Sequence, residues 1–180
     1  MHALDRLYET ASTQAGLFTT AQARAAGYAT SALTRLTHAG RFERRMHGLY
    51  RLRHFPFDPQ EELVAAWLWS EQRGVLSYLT ALDAHRLSHA LPTKIHLTLP
   101  VADRRRRRLL PPGLVLHFAD LEDEERSWVG LVPVTTVART IRDCIDAYVD
   151  EEIIQRAMDG ALERGLVTAG EFASVVAARR

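Results

Sequence analysis

The chain has 180 residues, of which 47% are hydrophobic and 25% are charged, so it has enough apolar side chains for one large or two small folded domains. Its single cysteine, Cys144, excludes an internal disulfide and a cysteine-rich zinc module. No apolar run approaches the roughly 20 residues of a membrane-spanning helix, and the N-terminus has no signal-peptide pattern, so we expect a cytoplasmic protein.

The net charge of +1 hides an uneven distribution along the chain. Residues 1–57 contain eight arginines and three acidic residues, whereas the remaining residues carry 15 basic and 19 acidic groups. A basic N-terminal third joined to a slightly acidic remainder is typical of a nucleic-acid-binding domain attached to a domain of another kind.

The first two predicted elements are helices. Residues 2–15 place apolar side chains at helical spacing, which indicates an amphipathic first helix. Thr19 and Gln22 then fit a capping box, in which each side chain bonds to the backbone N–H of the other residue. The second helix is therefore expected to begin at Thr20 and to end at Gly27, a residue that readily adopts the left-handed conformation.

A third helix is predicted to start at Thr30 or Ser31, both good N-cap residues, and to end at Gly40, which gives a helix-turn-helix unit. Leu33 and Leu36 lie on one side of this helix. Because arginine pairs with guanine, and hydroxyl and imidazole groups reach other base edges, we predict that the opposite side, together with Thr30, contacts the major groove of DNA. The side chains on that face are Ser31, Thr34, Arg35 and His38.

After Gly40 the pattern changes to two strands, over residues 41–46 and 49–53, joined by a tight turn at His47-Gly48. We interpret this hairpin as the wing of a winged helix-turn-helix, where contacts to phosphates fix the register without reading the sequence. A polar helix face beside a charged hairpin also occurs on purely structural domains, and that alternative stays open. The predicted phosphate contacts of the wing are Arg44, Arg45, His47 and Arg51.

Two prolines within residues 55–59 interrupt regular structure, so we predict a domain boundary there. Residues 1–55 would form the winged helix-turn-helix domain and residues 58–180 a second domain. In the second domain, a strand is expected over residues 94–99, with residues 114–118 as its antiparallel partner and a hairpin-like stretch from Trp128 to Val134. Helices are expected from Pro59, Ser77, Thr135 or Thr136, Asp150 and Thr168. The predicted fold class is α+β: an N-terminal winged helix-turn-helix and a C-terminal α+β domain with a small antiparallel sheet covered by helices.

Five segments together carry a resemblance to a known family: residues 16–23 (GLFTTAQA), 48–52 (GLYRL), 61–68 (EELVAAWL), 95–100 (IHLTLP) and 132–140 (VPVTTVART). They resemble the AbiEi-type antitoxins, the antitoxin and autorepressor halves of bacterial abortive-infection toxin–antitoxin pairs. The resemblance implies a winged-helix domain that binds inverted repeats of double-stranded DNA in its own promoter. It also implies a C-terminal domain that neutralises a nucleotidyltransferase-like toxin. The family's class, type IV, does not require a stable complex, so direct contact with the toxin is left open.

No catalytic motif stands out in the sequence, and we predict no enzymatic activity and no cofactor. A nucleotidyltransferase needs a Gly-Ser segment followed by paired metal-binding aspartates, and the chain contains no Gly-Ser dipeptide, so it is not expected to be the toxin. His85 and His89 have a spacing that can place two imidazoles on one metal ion, but the sequence supplies no third ligand. We therefore predict no metal site.

The strongest charge run lies between Pro100 and Pro111, in a loop that joins two predicted strands. Adjacent guanidinium groups could neutralise several phosphates of DNA, or they could simply be solvated at a hairpin tip. The alternative function is an RNA-binding or tRNA-binding protein that uses this loop and keeps the winged helix as a scaffold. The residues of the run are Arg104, Arg105, Arg106, Arg107 and Arg108.

Overall fold

The computed structural model describes residues 2–88, 92–106 and 109–177, except the side chains of residues 175 and 176. Within these ranges the chain forms eight α-helices and two sheets, of three and five strands, so the predicted mixed α+β class is confirmed. The chain divides into two compact units, Met1–Gln72 and Arg73–Arg180. No helix of the described ranges is long and apolar enough to cross a membrane.

The first unit combines four helices with a three-stranded antiparallel sheet of order β1-β3-β2. Its elements are α1 (Ala3–Ser12), β1 (Leu17–Thr19), α2 (Thr20–Ala25), α3 (Thr30–His38), β2 (Phe42–Met46), β3 (Leu49–Leu52) and α4 (Glu61–Trp69). Strand β1 was not predicted, because three residues are too few to show a strand period.

Local sequence determines where the short helices begin and end. The predicted capping box is present: Gln22 donates its backbone N–H to Thr19 Oγ1 at 3.1 Å, and Thr19 donates its own to Gln22 Oε1 at 2.8 Å. Gly27 follows α2 with a φ of 105°, a conformation that side chains with a Cβ rarely adopt. Helix α3 begins at Thr30, one of the two predicted starts, but the prediction of Thr30 or Ser31 as its N-cap was wrong, because the N-cap is Ala29, which supplies no side-chain hydrogen bond.

Aromatic and aliphatic side chains from all three strands and the first three helices form the core of this unit. The ring of Phe18 lies 5.0 Å from that of Phe42 and 5.8 Å from that of Tyr50, centroid to centroid. Leu7 of α1 and Leu33 of α3 are completely buried against this cluster. Leu33 lies inward as the helical period indicated, but of the four apolar residues of α1 at helical spacing only Leu7 and Ala11 are buried, and Leu4 and Tyr8 are 48% and 54% exposed.

Helix α4 lies in the first unit, because the two compact units divide between Gln72 and Arg73. It contacts β1 and β3 of the three-stranded sheet. The domain boundaries predicted from the two prolines, 1–55 and 58–180, stay a prediction about independently folding parts.

The second unit contains a five-stranded sheet of order β6-β5-β4-β8-β7 and four helices within its described residues. Its strands are β4 (Val75–Leu76), β5 (Ile95–Leu99), β6 (Leu114–Phe118), β7 (Arg126–Val129) and β8 (Val132–Thr135). Its helices are α5 (Tyr78–Ala84), α6 (Val137–Asp146), α7 (Glu151–Glu163) and α8 (Ala169–Ala177), with 3-10 turns at Val101–Arg105 and Asp123–Glu125.

The sheet of the second unit is mixed, so the prediction of a small antiparallel sheet was wrong. Strands β5 and β6 run parallel, from the pair Ile95↔Leu114 to the pair Leu99↔Phe118. The segment after β5, which begins with the 3-10 turn, carries the chain back to the start of β6, as a parallel pair requires. The hairpin-like stretch is confirmed, since β7 and β8 pair antiparallel. Strand β4, only two residues long, lies at the centre of the sheet and was not predicted.

Helices α6 and α7 begin where their cap residues predicted. Thr136 Oγ1 accepts a hydrogen bond from the backbone N–H of Arg139, and Asp150 Oδ1 accepts one from that of Glu152 at 2.8 Å. Their inward faces join α5 and α8 in one apolar core, in which Ile141 is 1% exposed and Ala157 is completely buried.

Candidate nucleic-acid interface

Helix α3 separates an apolar face from a polar face, as its sequence predicted. Leu33 is completely buried and Leu36 is partly buried against the core of the first unit. The residues predicted to contact base edges are exposed: Thr30, Ser31, Thr34, Arg35 and His38. The structure therefore brings these five side chains together on the outer surface of one nine-residue helix.

Thr30, at the first position of α3, interacts with an arginine that the sequence analysis did not select. Arg24, near the end of α2, donates from Nε and Nη2 to Thr30 Oγ1 at 3.1 and 2.8 Å. This pair links the two helices across the turn and adds a cation beside the start of α3. Spacing along the chain gave no signal for it, because the two residues lie on different helices.

Arg44 lies on the side of the hairpin that faces α1, α2 and α3. Its partner across the ladder is Tyr50, which belongs to the helix-packed core, and directly opposed residues share one face of a sheet. Arg44 Nη2 lies 3.2 Å from His47 Nδ1 at the hairpin turn. Because a guanidinium group only donates, His47 Nδ1 must accept, so its proton is carried on Nε2, the nitrogen that remains available as a donor.

Arg45 lies on the other side of the hairpin. The ladder shifts register between Arg44 and Met46, so Arg45 stands in a bulge without a directly opposed partner. Its Nη2 forms an ion pair with Glu61 Oε1 of α4 at 3.1 Å, although its side chain remains 44% exposed. The structure thus separates two neighbouring arginines that the sequence grouped together.

Arg51, predicted to be a phosphate contact, lies inside the first unit instead, with 8% of its surface exposed. Its Nε donates to Glu61 Oε2 at 2.9 Å. Its Nη atoms donate to backbone carbonyl oxygens of the segment that leads to α4: Leu52 (3.1 Å), Arg53 (3.4 Å), Phe55 (2.8 Å) and Pro56 (3.1 Å). With all of its donors engaged internally, Arg51 has none left for a phosphate, and we exclude it from the candidate interface.

The arginine run belongs to the second unit, and only part of it is described. The Arg104 guanidinium lies 5.6 Å from the centroid of the Phe118 ring, in cation–π geometry. Arg105 is exposed, and Arg106 Nη1 lies 3.4 Å from Asp103 Oδ1. Arg107 and Arg108 lie outside the described residues. Arg104 and Arg105 are therefore the described members of the run that could meet a phosphate.

A cluster that sequence reasoning missed joins two strands and a helix of the second unit. His96 Nδ1 and His117 Nε2 lie 3.0 Å apart, and the ring of Tyr78 stacks on that of His117 at 3.7 Å. Burial and the neighbouring His96 lower the pKa of His117 to about 4, and burial also lowers the pKa of His96. The two rings, tilted by only 14°, share one hydrogen bond and are both neutral at pH 7.

His85 has a structural partner. Its Nε2 donates to the carbonyl oxygen of Thr135 at 2.8 Å, and burial lowers the pKa of the imidazole. His89 lies outside the described residues, so the predicted spacing of the two imidazoles has no described geometry. Within the described ranges, no group of three or more histidine, cysteine or acidic side chains is arranged to hold a metal ion.

The segment that carries the candidate interface matches a known family. Residues 5–53 match the family described as "Transcriptional regulator, AbiEi antitoxin". No curated protein matches the chain. Among solved structures, the chain is similar to the RV2827C protein from Mycobacterium tuberculosis, at 15% identity and a TM-score of 0.46, over 88% of this chain and 71% of that one. The resemblance inferred from the sequence is thus confirmed for residues 5–53, from α1 to the end of the β2–β3 hairpin, which match the AbiEi antitoxin and transcriptional-regulator family.

Proposed function

We propose that this chain is a sequence-specific DNA-binding autorepressor and the antitoxin of a toxin–antitoxin pair. In this proposal α1, α2, α3 and the three-stranded sheet form a winged helix-turn-helix, α3 enters the major groove, and the β2–β3 hairpin is the wing. The observation that supports the proposal most directly is that α3 has one buried apolar face and one exposed polar face. Leu33 anchors the helix in the core, while Arg35 and its hydrogen-bonding neighbours are exposed on the opposite face.

The two kinds of DNA contact come from different elements. Arg35 can donate two hydrogen bonds to a guanine, and Ser31, Thr34 and His38 can meet adjacent base edges. Arg44 lies on the face of the sheet that packs against α1, α2 and α3, and with His47 it can contact phosphates beside the major groove. Arg45 would contribute less, because Glu61 already neutralises its charge.

Equilibrium binding to a panel of operator duplexes with single base-pair changes, at two salt concentrations, tests this division. Arg35→Ala should weaken the free energy of binding to the preferred site by about 1–3 kcal/mol and reduce discrimination at one base pair. Arg44→Ala should lower the affinity for all duplexes by the same factor and reduce the slope of log K against log salt by about 0.9. Arg156→Ala is the matched control, since it removes an exposed arginine from α7 of the second unit.

The outcome that would contradict the proposal is a loss of the same size on every duplex when Arg35 is replaced. In that case α3 would contribute charge only, and base recognition would lie elsewhere. Folding should survive in each variant, because neither side chain is part of the core of the first unit.

The antitoxin activity can be separated from repression in cells. The family resemblance assigns neutralisation of a nucleotidyltransferase-like toxin to the C-terminal domain, so Arg35→Ala should still rescue growth when toxin and antitoxin are expressed from independent promoters. The same variant should fail to repress a reporter under the natural promoter. If Arg35→Ala loses rescue together with repression, while its protein level is unchanged, the DNA-binding surface is also required for the antidote.

A second candidate function is RNA or tRNA binding through the arginine run. It is favoured by the exposure of Arg105 and by the position of Arg104, whose guanidinium is held over an aromatic ring at the edge of the same loop. Competition between labelled operator duplex and unlabelled tRNA distinguishes the two functions. An autorepressor should retain the operator in the presence of excess tRNA, whereas an RNA-binding protein should release it.

A further inference from the structure

An apolar groove lies in the first unit, between α1 and the end of the β2–β3 hairpin opposite its turn. Eleven described residues of this unit line the groove, of which eight are apolar or aromatic and three are basic. Two of the apolar residues, Leu4 and Tyr8 of α1, remain 48% and 54% exposed. A concave apolar surface with a few polar groups is typical of a site that binds another molecule.

The size of the groove favours a small molecule over a protein as its occupant. Its volume of about 360 Å³ lies near the lower end of the range of small-molecule sites, which is about 300–1,000 Å³. A stable protein interface uses about 20–30 residues on each side, roughly twice the eleven residues that line this groove. An occupant with one or two rings therefore matches the groove better than a segment of another protein.

Two pairs of aromatic rings belong to the lining of the groove. The ring centroids of Tyr8 and Phe55 lie 6.2 Å apart. Those of Tyr28 and Phe42 lie 5.9 Å apart, with one ring edge directed at the face of the other. Aromatic side chains attract a further flat ring through offset-stacked and edge-to-face contacts, in addition to the free energy gained by burying apolar area. The lining therefore favours an aromatic occupant.

The polar part of the lining consists of three exposed basic residues, Arg41, Arg53 and His54. Arg41 and Arg53 stand opposite each other, one position beyond the last pair of the hairpin ladder, and like charges in that arrangement repel. Gly40 leaves room for the Arg53 guanidinium, since a Cβ at this position would lie only 2.9 Å from its Nη1. Among the described residues, the one acidic group paired with either arginine is Glu43, whose Oε1 lies 3.9 Å from Arg53 Nε. The two arginines therefore favour an anion in the groove.

We infer that this groove binds a small aromatic carboxylate, whose ring lies against the aromatic lining and whose carboxylate lies between the guanidinium groups of Arg41 and Arg53. Guanidinium groups are permanently charged and bind carboxylates through charge-assisted hydrogen bonds. A carboxylate in this position also reduces the repulsion between the two arginines. Within α3, the lining includes only Leu36, on the side of the helix opposite Arg35. The inference does not rest on the proposed function, because ligand binding at this groove requires no DNA.

Titration of the isotope-labelled full chain with phenylacetate, without DNA and followed by heteronuclear NMR, tests the inference. Phenylacetate should shift the backbone signals of the residues that line the groove, saturably and with a Kd in the millimolar range or below. The uncharged isostere phenylacetamide should bind about tenfold more weakly, because it offers the same ring but no charge to the arginines. The absence of a saturable shift at the groove, or equal binding of the acid and the amide, would overturn the inference.

Two variants separate the contribution of charge from that of the aromatic lining. Arg53→Gln should weaken phenylacetate binding about tenfold and leave phenylacetamide binding unchanged, whereas Tyr8→Ala should weaken the binding of both ligands. Arg35→Gln is the matched control, because it removes an exposed arginine of the same unit that does not line the groove, and it should change neither affinity. All three side chains are exposed, so the unfolding midpoint of each variant should stay at the wild-type value.

Two outcomes of the variant series would overturn the inference. Equal losses of phenylacetate affinity in Arg35→Gln and Arg53→Gln would show that the anion is attracted by the overall charge of the unit rather than by the groove. Sedimentation of the full chain identifies a competing occupant. A dimer that Tyr8→Ala dissociates, in a chain that binds no phenylacetate, would assign the groove to a second copy of the chain.

Discussion

Replacing Arg51 by alanine should destabilise the first unit rather than weaken DNA binding directly. Arg51 and Arg45 contact the two oxygens of the same carboxylate, Glu61, but Arg51 is buried and the Arg45 side chain is 44% exposed. Arg51 also donates to four backbone carbonyl oxygens, one at the end of β3 and three in the segment between β3 and α4. The two arginines therefore form a matched pair that differs in burial and in the number of internal hydrogen bonds.

The expected size of the effect follows from those contacts. Breaking a buried ion pair by removing one partner costs about 3–5 kcal/mol, because the remaining charge stays in a poorly solvated position. Because Arg45 still pairs with Glu61, we expect Arg51→Ala to lower the free energy of unfolding by about 3 kcal/mol, the lower end of that range. In a unit of this size that corresponds to a fall in melting temperature of about 12–24 °C. Arg45→Ala removes an exposed pair and should cost no more than about 1 kcal/mol.

Urea unfolding followed by tryptophan fluorescence measures this difference. Trp67 and Trp69 belong to α4, and replacing the exposed Trp128 by phenylalanine makes the fluorescence specific for the first unit. Operator binding by Arg51→Ala should equal that of Arg45→Ala at temperatures where both are folded. Equal unfolding midpoints for the two variants, with a selective loss of DNA affinity in Arg51→Ala, would refute the internal role and restore Arg51 as a phosphate contact.

Three further predictions concern the second unit. Replacing Arg104 and Arg105 by glutamine should lower the slope of log K against log salt by about 0.9 per lost duplex contact, and an unchanged slope would assign the loop to solvation or to another partner. Burial raises the pKa of Cys144 to about 12, so this thiol should react with a thiol reagent at neutral pH only after unfolding; rapid labelling of the folded chain would contradict its burial. Burial lowers the pKa of His117 from 6.5 to about 4, so between these pH values the unfolded chain takes up a proton that the folded chain does not. The free energy of unfolding should therefore be fully retained above pH 6.5 and should fall as the pH is lowered through this window, by about 1–2 kcal/mol after allowance for the partly exposed ring. His117→Gln should reduce the pH dependence by the His117 contribution and leave that of His85 and His96, whose pKa values burial also lowers, and an equal loss in the variant would contradict the assignment.

The features that the sequence predicted well depend on neighbouring residues. The capping box of α2, the glycine after it and the turn at His47-Gly48 are fixed by backbone groups only a few positions apart. The polar face of α3 was equally predictable, since the helical period alone places Leu33 opposite Arg35. These local signals cover most of residues 16–53.

The features that the sequence did not predict depend on what covers each face. The alternation within β3 correctly places Arg51 opposite Tyr50, but only the packing of α4 shows that the Arg51 face is not open to solvent. Glu61 lies ten residues from Arg51 along the chain, and this separation gave no signal that the two side chains pair. The direction of β6 was missed for a similar reason, because residue alternation is the same in parallel and antiparallel strands.

The same packing decides where the positive charge of the first unit can act. Overall charge indicated a nucleic-acid partner, but it could not indicate a face of the molecule. On the α4 side, the single carboxylate of Glu61 pairs with both Arg45 and the buried Arg51, so it cancels one of their two positive charges. On the side that packs against α1, α2 and α3, Arg44 is exposed, and its described partner is an imidazole nitrogen of His47. Arg35 is exposed on α3. Glu61 thus lowers the positive charge on the α4 side of the unit, and at temperatures where Glu61→Gln remains folded its affinity for duplexes without an operator should exceed that of the wild-type chain.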